Sequence, residues 1–290
     1  MTLRETLASA RARLIAAGIP QDEASIDVDL YACTILSWDR ARLLADRHGP
    51  RPESLEPRLS EWIARRERHE PTAYIVGVRE FWGLEFETTP AVLIPRPETE
   101  LIVEEALALV RGGHVGMTEG RGSARVADIG TGSGCVAVAV ASELPDCRVV
   151  ASDISAEALV VARRNAMRHG VADRIEFVAT SYLDGIDGPF DLLTANPPYV
   201  QDGDRPALGR GVLHEPSVAL FGGAGGFRDI GGVLDAAAVT LASGGHLVME
   251  FGYGQEDGVA SLVQARDALS LRRVRQDLQG IPRTAIIRHR

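Results

Sequence analysis

At 290 residues, 45% hydrophobic and 24% charged, the chain can fill a sizeable core and exceeds one typical domain, so two domains are expected. A formal net charge of −9 argues against a dedicated duplex-DNA reader, which needs a broad basic face. The opening Met1-Thr2-Leu3-Arg4 holds no secretory core, no apolar run reaches membrane-spanning length, and Cys33, Cys135 and Cys147 are scattered; a cytoplasmic protein off the membrane, with reduced core thiols and no metal, is expected.

Residues 1 to about 72 read as helical. Leu3, Leu7, Ala10 and Leu14 recur at helical spacing up to a stop near Gly18 and Pro20. Asp22 is placed to cap a second helix with an inner face of Ile26, Leu30 and Cys33 or Thr34. Leu55, Leu59 and Ile63 mark another, and the cations at its end, Arg65, Arg66, Arg68 and His69, read as a solvated face rather than a partner site. From Ala73 the period changes. Tyr74 to Val78 and Phe81 to Glu87 predict a two-stranded hairpin, giving a linker over 73–90 between a domain at 1–72 and one at 91–290.

Leu93 to Glu100 is irregular and leads into an apolar helix from Leu101 to Val110, with Pro97 suited to its first turn. Arg96, Glu98 and Glu100 fit either a surface capping cluster or a pocket wall. The glycine-rich stretch from Arg111 to Ser123 predicts a flexible surface loop. Strands and helices then alternate, the pattern of a doubly wound parallel sheet. Strands are predicted at 125–129, 148–152, 175–179, 190–195 and 246–251, with two more near 272–275 and 284–288. Helices are predicted after the first strand, from a cap at Ser155 to about His169, and from about Arg228 to Ala242.

Two loops carry chemistry. Asp128-Ile129-Gly130-Thr131-Gly132-Ser133-Gly134 joins the first strand to its helix, and its alternate glycines let backbone pass close to a bound molecule. The spacing differs from the dinucleotide fingerprint and there is no Walker lysine, so a nucleoside bearing an amino-acid moiety, such as S-adenosylmethionine, fits best. Asp153 closes the second strand where a carboxylate can accept both ribose hydroxyls. Asp128 either orients the loop or faces the methionine ammonium through water, and Tyr182 either packs on the adenine or belongs to the core.

The second loop is Asn196-Pro197-Pro198-Tyr199. Consecutive prolines must end the fourth strand, leaving a stiff loop at a strand's carboxyl end, where open α/β sheets place ligands. An amide oxygen, a fixed carbonyl and an aromatic face suit a planar group bearing N–H₂.

Leu93-Ile94-Pro95-Arg96-Pro97-Glu98-Thr99-Glu100, the glycine turn, Ser152 to Ser155 and Asn196 to Tyr199 together resemble the peptide chain release factor glutamine N5-methyltransferases, the HemK/PrmC family. The likeness covers nearly the whole chain, including Glu70 to Gly77, His214-Glu215-Pro216 and Gly280 to Arg283. It implies a small helical substrate-recognition domain, a β-hairpin linker and a seven-stranded, mostly parallel, Rossmann-like class I methyltransferase domain. By that resemblance Gly130, Thr131, Gly132, Ser133, Gly134, Asp153, the Tyr182 position and Asn196 contact S-adenosylmethionine, which leaves as S-adenosylhomocysteine. Asn196, Pro197, Pro198 and Tyr199 hold the glutamine of a release factor's Gly-Gly-Gln loop. The enzyme is expected to act as a monomer without touching nucleic acid. The family has an acidic residue followed by Leu, Trp or Phe where this chain has Ser181-Tyr182. A ribosomal-protein glutamine methyltransferase, a nucleic-acid adenine methyltransferase and a non-enzymatic S-adenosylmethionine sensor compete; the Arg96 to Glu100 string, the acidic charge and the retained Asn196 weigh against them in turn.

Overall fold

The computed structural model describes residues 2–113, 115 and 123–290, which form two compact units. One comprises Met1–Val78 with Gly209–His214, the other Arg79–Leu208 with Glu215–Arg290. Most of the predicted Arg111–Ser123 loop lies outside the described residues.

The first unit holds α1 (Leu3–Ala16), α2 (Gln21–Leu36), α3 (Arg40–Asp46), α4 (Arg58–Arg66) and a single turn, α5 (Thr72–Val76). Helix α1 is closed by a reciprocal cap, with Thr2 Oγ1 accepting the Glu5 N–H and Glu5 accepting that of Thr2. Four expectations need correction. Asp22 lies inside the first turn of α2, whose N-cap is Pro20 with no side-chain cap. Ile26 and Leu30 are exposed; α2 instead buries Ala24, Asp27, Val28, Tyr31 and Ala32. The offset arises because Asp27 is buried with a partner. Arg66, read as solvated, is 9% exposed and gives Nε–H to Asp27 Oδ2 at 2.7 Å, and Thr72 donates to the other oxygen at 2.6 Å. Tyr74 to Val76 is helical, because Pro71 starts a turn whose carbonyls Tyr74 and Ile75 use, and Gly77 ends it at φ 88°. The hairpin therefore begins at β1 (Val78–Phe81) and returns through β2 (Leu84–Glu87).

The second unit continues with α6 (Glu100–Arg111), β3 (Arg125–Ile129), α7 (Cys135–Glu143), β4 (Arg148–Asp153), α8 (Ala156–Arg168), β5 (Ile175–Ala179) and β6 (Phe190–Ala195). After a short α9 (Ser217–Leu220) follow α10 (Arg228–Thr240), β7 (Leu241–Glu250), α11 (Glu256–Gln264), β8 (Leu269–Gln276) and β9 (Pro282–His289). Seven strands form one sheet in the order β5-β4-β3-β6-β7-β9-β8, with β9 running against the other six. Alternate strand residues feed opposite layers. Val126, Val149 and Leu192 pack beneath α6 and α7, while Ala127, Val150 and Leu193 pack beneath α10 and α11. Phe81 and Phe86 of the hairpin are buried in the first of these layers. At the far edge the fully buried Glu105 of α6 takes ion pairs from Arg273 and Arg275 of β8.

Candidate active site

The sheet reverses its winding at β3, whose neighbours β4 and β6 lie on opposite sides; at such a switch point the following loops diverge and leave a crevice. Register decides what lines it. Ile129 pairs with Ser152 on one side and Ala195 on the other, and Ala195 pairs with Met249. One residue further on, Asp153, Gly130, Asn196 and Glu250 therefore stand in a row along the carboxyl edge. A cavity of about 410 Å³ opens there, within the usual size of a small-molecule site.

The β3–α7 turn has positive φ at Gly130, Gly132 and Gly134. A Cβ at Gly130 or Gly132 would meet nothing within 4 Å, so both face open space; one at Gly134 would sit 3.0 Å from the Cβ of Ala162, where α7 and α8 meet closely. Asp153 orders this turn by accepting Gly132 N–H and Ser155 N–H, each at 2.8 Å, and each oxygen keeps a lone pair for a ligand. Asn165, fully buried, donates Nδ2–H to the carbonyls of Ser133 and Glu87 and accepts Glu87 N–H, tying the turn to the hairpin.

Asp128 lines the cavity and also touches the turn. Its oxygens accept the hydroxyls of Thr131 at 2.6 Å and Thr194 at 2.7 Å, fastening the glycine turn to β6. Burial pushes its pKa up to about 6 from an ordinary 3.8, the two hydroxyls acting the other way. The folded chain therefore holds this proton where the unfolded chain has released it, and stability falls as pH rises from about 4 to about 6. Asp128→Asn should remove a component of about 3 kcal/mol from that slope. Thermal unfolding of both proteins from pH 4 to 7 measures it, and parallel stability curves would refute it.

The predicted site residues divide into two groups. Asp128, Gly130, Thr131, Gly132, Ser133, Asp153, Tyr182, Asn196, Pro197 and Pro198 line the cavity; Gly134 and Tyr199 do not. Tyr182, at φ 50°, lays its ring where a Cβ on Gly232 would be 2.1 Å from Cζ, and donates O–H to Asp229 at 3.0 Å. It is thus wall and core at once, and burial beside Asp229 pushes its pKa up to about 12. The Tyr199 ring, expected as a platform, packs with the second core layer and donates its hydroxyl to Glu250 at 3.0 Å. Arg96 lines the cavity and pairs with the buried Glu215, which also accepts Ile94 N–H, whereas Glu100 accepts the Trp82 N–H outside it.

Thr99, Glu250 and Glu215 were missed as site residues. Thr99 donates O–H to Glu250 at 2.7 Å, and Asn196 Nδ2–H donates to Thr99 at 3.0 Å. Among the described residues no side-chain or backbone donor is placed on Asn196 Oδ1, and Asn196 lines the cavity. Glu250 is 1% exposed; burial raises its pKa, opposed by Thr99, Tyr199 and the Arg283 charge. A signal existed, since a lone acid closes the apolar run Leu247-Val248-Met249.

The sheet order, the glycine turn open to a cavity and the carboxylate ending the neighbouring strand define a class I, S-adenosylmethionine-dependent methyltransferase. A solved methyltransferase from Pyrococcus furiosus superposes with a TM-score of 0.51 at 20% identity, covering 71% of this chain and 89% of that one. Family models match as a methyltransferase small domain over residues 116–223 and a PrmC N-terminal domain over 5–77. Release factor glutamine methyltransferases of Bradyrhizobium diazoefficiens and Nitratidesulfovibrio vulgaris are 40% and 38% identical, spanning 98% and 97% of this chain and 93% of each relative. The chain belongs to the release factor glutamine methyltransferase family.

Proposed function

We propose that this chain methylates the side-chain nitrogen, N5, of the glutamine in the Gly-Gly-Gln loop of peptide chain release factors. It is an S-adenosylmethionine-dependent protein-glutamine methyltransferase. The observation that carries the reading is the register that sets Gly130 of the donor turn beside Asn196 of the acceptor loop on paired strands.

When bound, S-adenosylmethionine supplies a methyl carbon on a positively charged sulfur. Asn196 Oδ1 and the Pro197 carbonyl accept the two hydrogens of the glutamine amide and fix its plane. A carboxamide nitrogen is a weak nucleophile, so holding it in line contributes much of the rate. The turn from Gly130 to Gly134 and Asp153 would hold the donor, which would supply its methyl group to the nitrogen that Asn196 and Pro197 orient; the C–S bonding pair would stay with sulfur and the nitrogen would lose one proton. Asp128 and Asp153 stand by the glycine turn, while Asp229 is paired with Arg228 and Arg96 lines the cavity as well, so acids gather on the donor side of the wall.

The helical region, 1–72, serves as the recognition domain, 73–90 as the connection, and 91–290 as the catalytic domain. The enzyme works in the cytoplasm as a monomer and has no direct hold on nucleic acid, the last of these supported by its net charge of −9. No helix among the described residues is long and apolar enough to cross a membrane. Incubating the purified protein with S-adenosylmethionine and a release factor, then mapping peptides by mass spectrometry, should find one methyl group on the Gly-Gly-Gln glutamine. Methylation elsewhere, or none, overturns the assignment.

A further inference from the structure

We propose that Thr99 and Glu250 are positioning residues that set the polarity of the Asn196 side chain, so that its oxygen and not its nitrogen meets the substrate amide. This rests on the reading that Asn196 grips the glutamine. The two ends of an asparagine amide have nearly the same shape and opposite hydrogen-bonding character. With the nitrogen inward, two donors would confront a substrate group that is itself an N–H donor, and the grip would become a repulsion. Something outside the loop has to choose the end.

The choice is made two hydrogen bonds away. Glu250, ending β7, accepts at both oxygens: Oε1 takes the Tyr199 hydroxyl at 3.0 Å and Oε2 the Thr99 hydroxyl at 2.7 Å. With Glu250 and Thr99 only 1% and 3% exposed, water does not replace these partners. Thr99 has one hydroxyl proton, and Glu250 holds it. Toward Asn196 the Thr99 oxygen therefore offers only lone pairs, and only Nδ2 can satisfy them, as it does at 3.0 Å. The second bond, from Tyr199, pins the carboxylate to the far end of the same loop. With its carboxylate ionised, Glu250 is acceptor-only and passes that polarity through one hydroxyl to one amide, joining positions 99, 196 and 250 across β6 and β7.

The test uses the full chain with S-adenosylmethionine and a release factor. Thr99→Val keeps the shape and deletes the hydroxyl; it should lower kcat by about 10–100-fold while cofactor Kd, read by calorimetry, moves less than about threefold. Thr99→Ser restores the hydroxyl and should return kcat to within about threefold of wild type. Glu250→Gln, which adds a donor to the acceptor-only end, should also lower kcat more than it raises cofactor Kd. In an Asn196→Ala background, Thr99→Val should cost nothing further, since the residue acts through Asn196. Equal losses in Thr99→Val and Thr99→Ser, or wild-type kcat in Thr99→Val or Glu250→Gln, overturn the relay. A wild-type rate in Asn196→Ala alone instead removes the amide-grip reading beneath it.

Discussion

Asn196→Ala should leave less than about a tenth of the wild-type methyl-transfer rate while cofactor affinity stays within roughly tenfold. The separation follows from what the side chain does. Its Nδ2 is held by Thr99 and the residue lines the cavity, so it has no part in ordering the glycine turn, which Asp153 and Asp128 hold. What is lost is an oriented acceptor at the reacting nitrogen. Removing one such preorganised group commonly costs about 10²–10³ in kcat, because the remaining groups no longer meet the developing charge in the right place. Single-turnover transfer from labelled cofactor, paired with calorimetric binding of S-adenosylhomocysteine, separates the two effects. A rate above about a tenth of wild type, with binding intact, would show that the amide is gripped elsewhere.

The places of the parallel strands along the chain were legible because each is a short apolar run ended by glycine, proline or a polar residue. Asp153 and Asn196 stood out as polar residues at such ends. Glu250 holds the same position on β7, yet inside the window His246 to Phe251 it read as strand interior. Only the pairing of Ala195 with Met249 shows that it stands beside Asn196. Thr99 was less visible still. It lies 97 residues from Asn196 in an irregular segment, and a threonine between two glutamates draws no attention until the fold closes. In the helical unit the aliphatic pair Ile26 and Leu30 drew the reading away from the face of Ala24, Val28 and Tyr31 that is buried. A helix that buries Asp27 against Arg66 breaks the rule that polar residues mark the wet side.

Gly226→Ala should be the most damaging small substitution in the catalytic unit. Gly226 sits at φ +73°, where an alanine is strained, and its added Cβ would lie 2.2 Å from the Tyr199 carbonyl oxygen and 2.6 Å from Gln255 Nε2. Neither neighbour can yield freely. The Tyr199 carbonyl accepts Gln255 Nε2–H at 3.0 Å, and the chain on either side is fixed by Val200 N–H to Leu220 O and Gly222 N–H to Val200 O, both at 2.9 Å. The collision must therefore move Tyr199, and with it the hydroxyl on Glu250 and the loop carrying Asn196. Strain plus overpacking should destabilise the protein by about 2–4 kcal/mol, lowering Tm by roughly 5–15 °C. Turnover should fall further than the loss of folded protein explains. Gly254→Ala is the control: its φ is +77°, but its Cβ would meet nothing within 4 Å. It should cost only about 1 kcal/mol and keep kcat, so equal Tm and kcat losses in the two variants would assign the effect to backbone strain alone and free the 220–226 segment from any part in holding the loop.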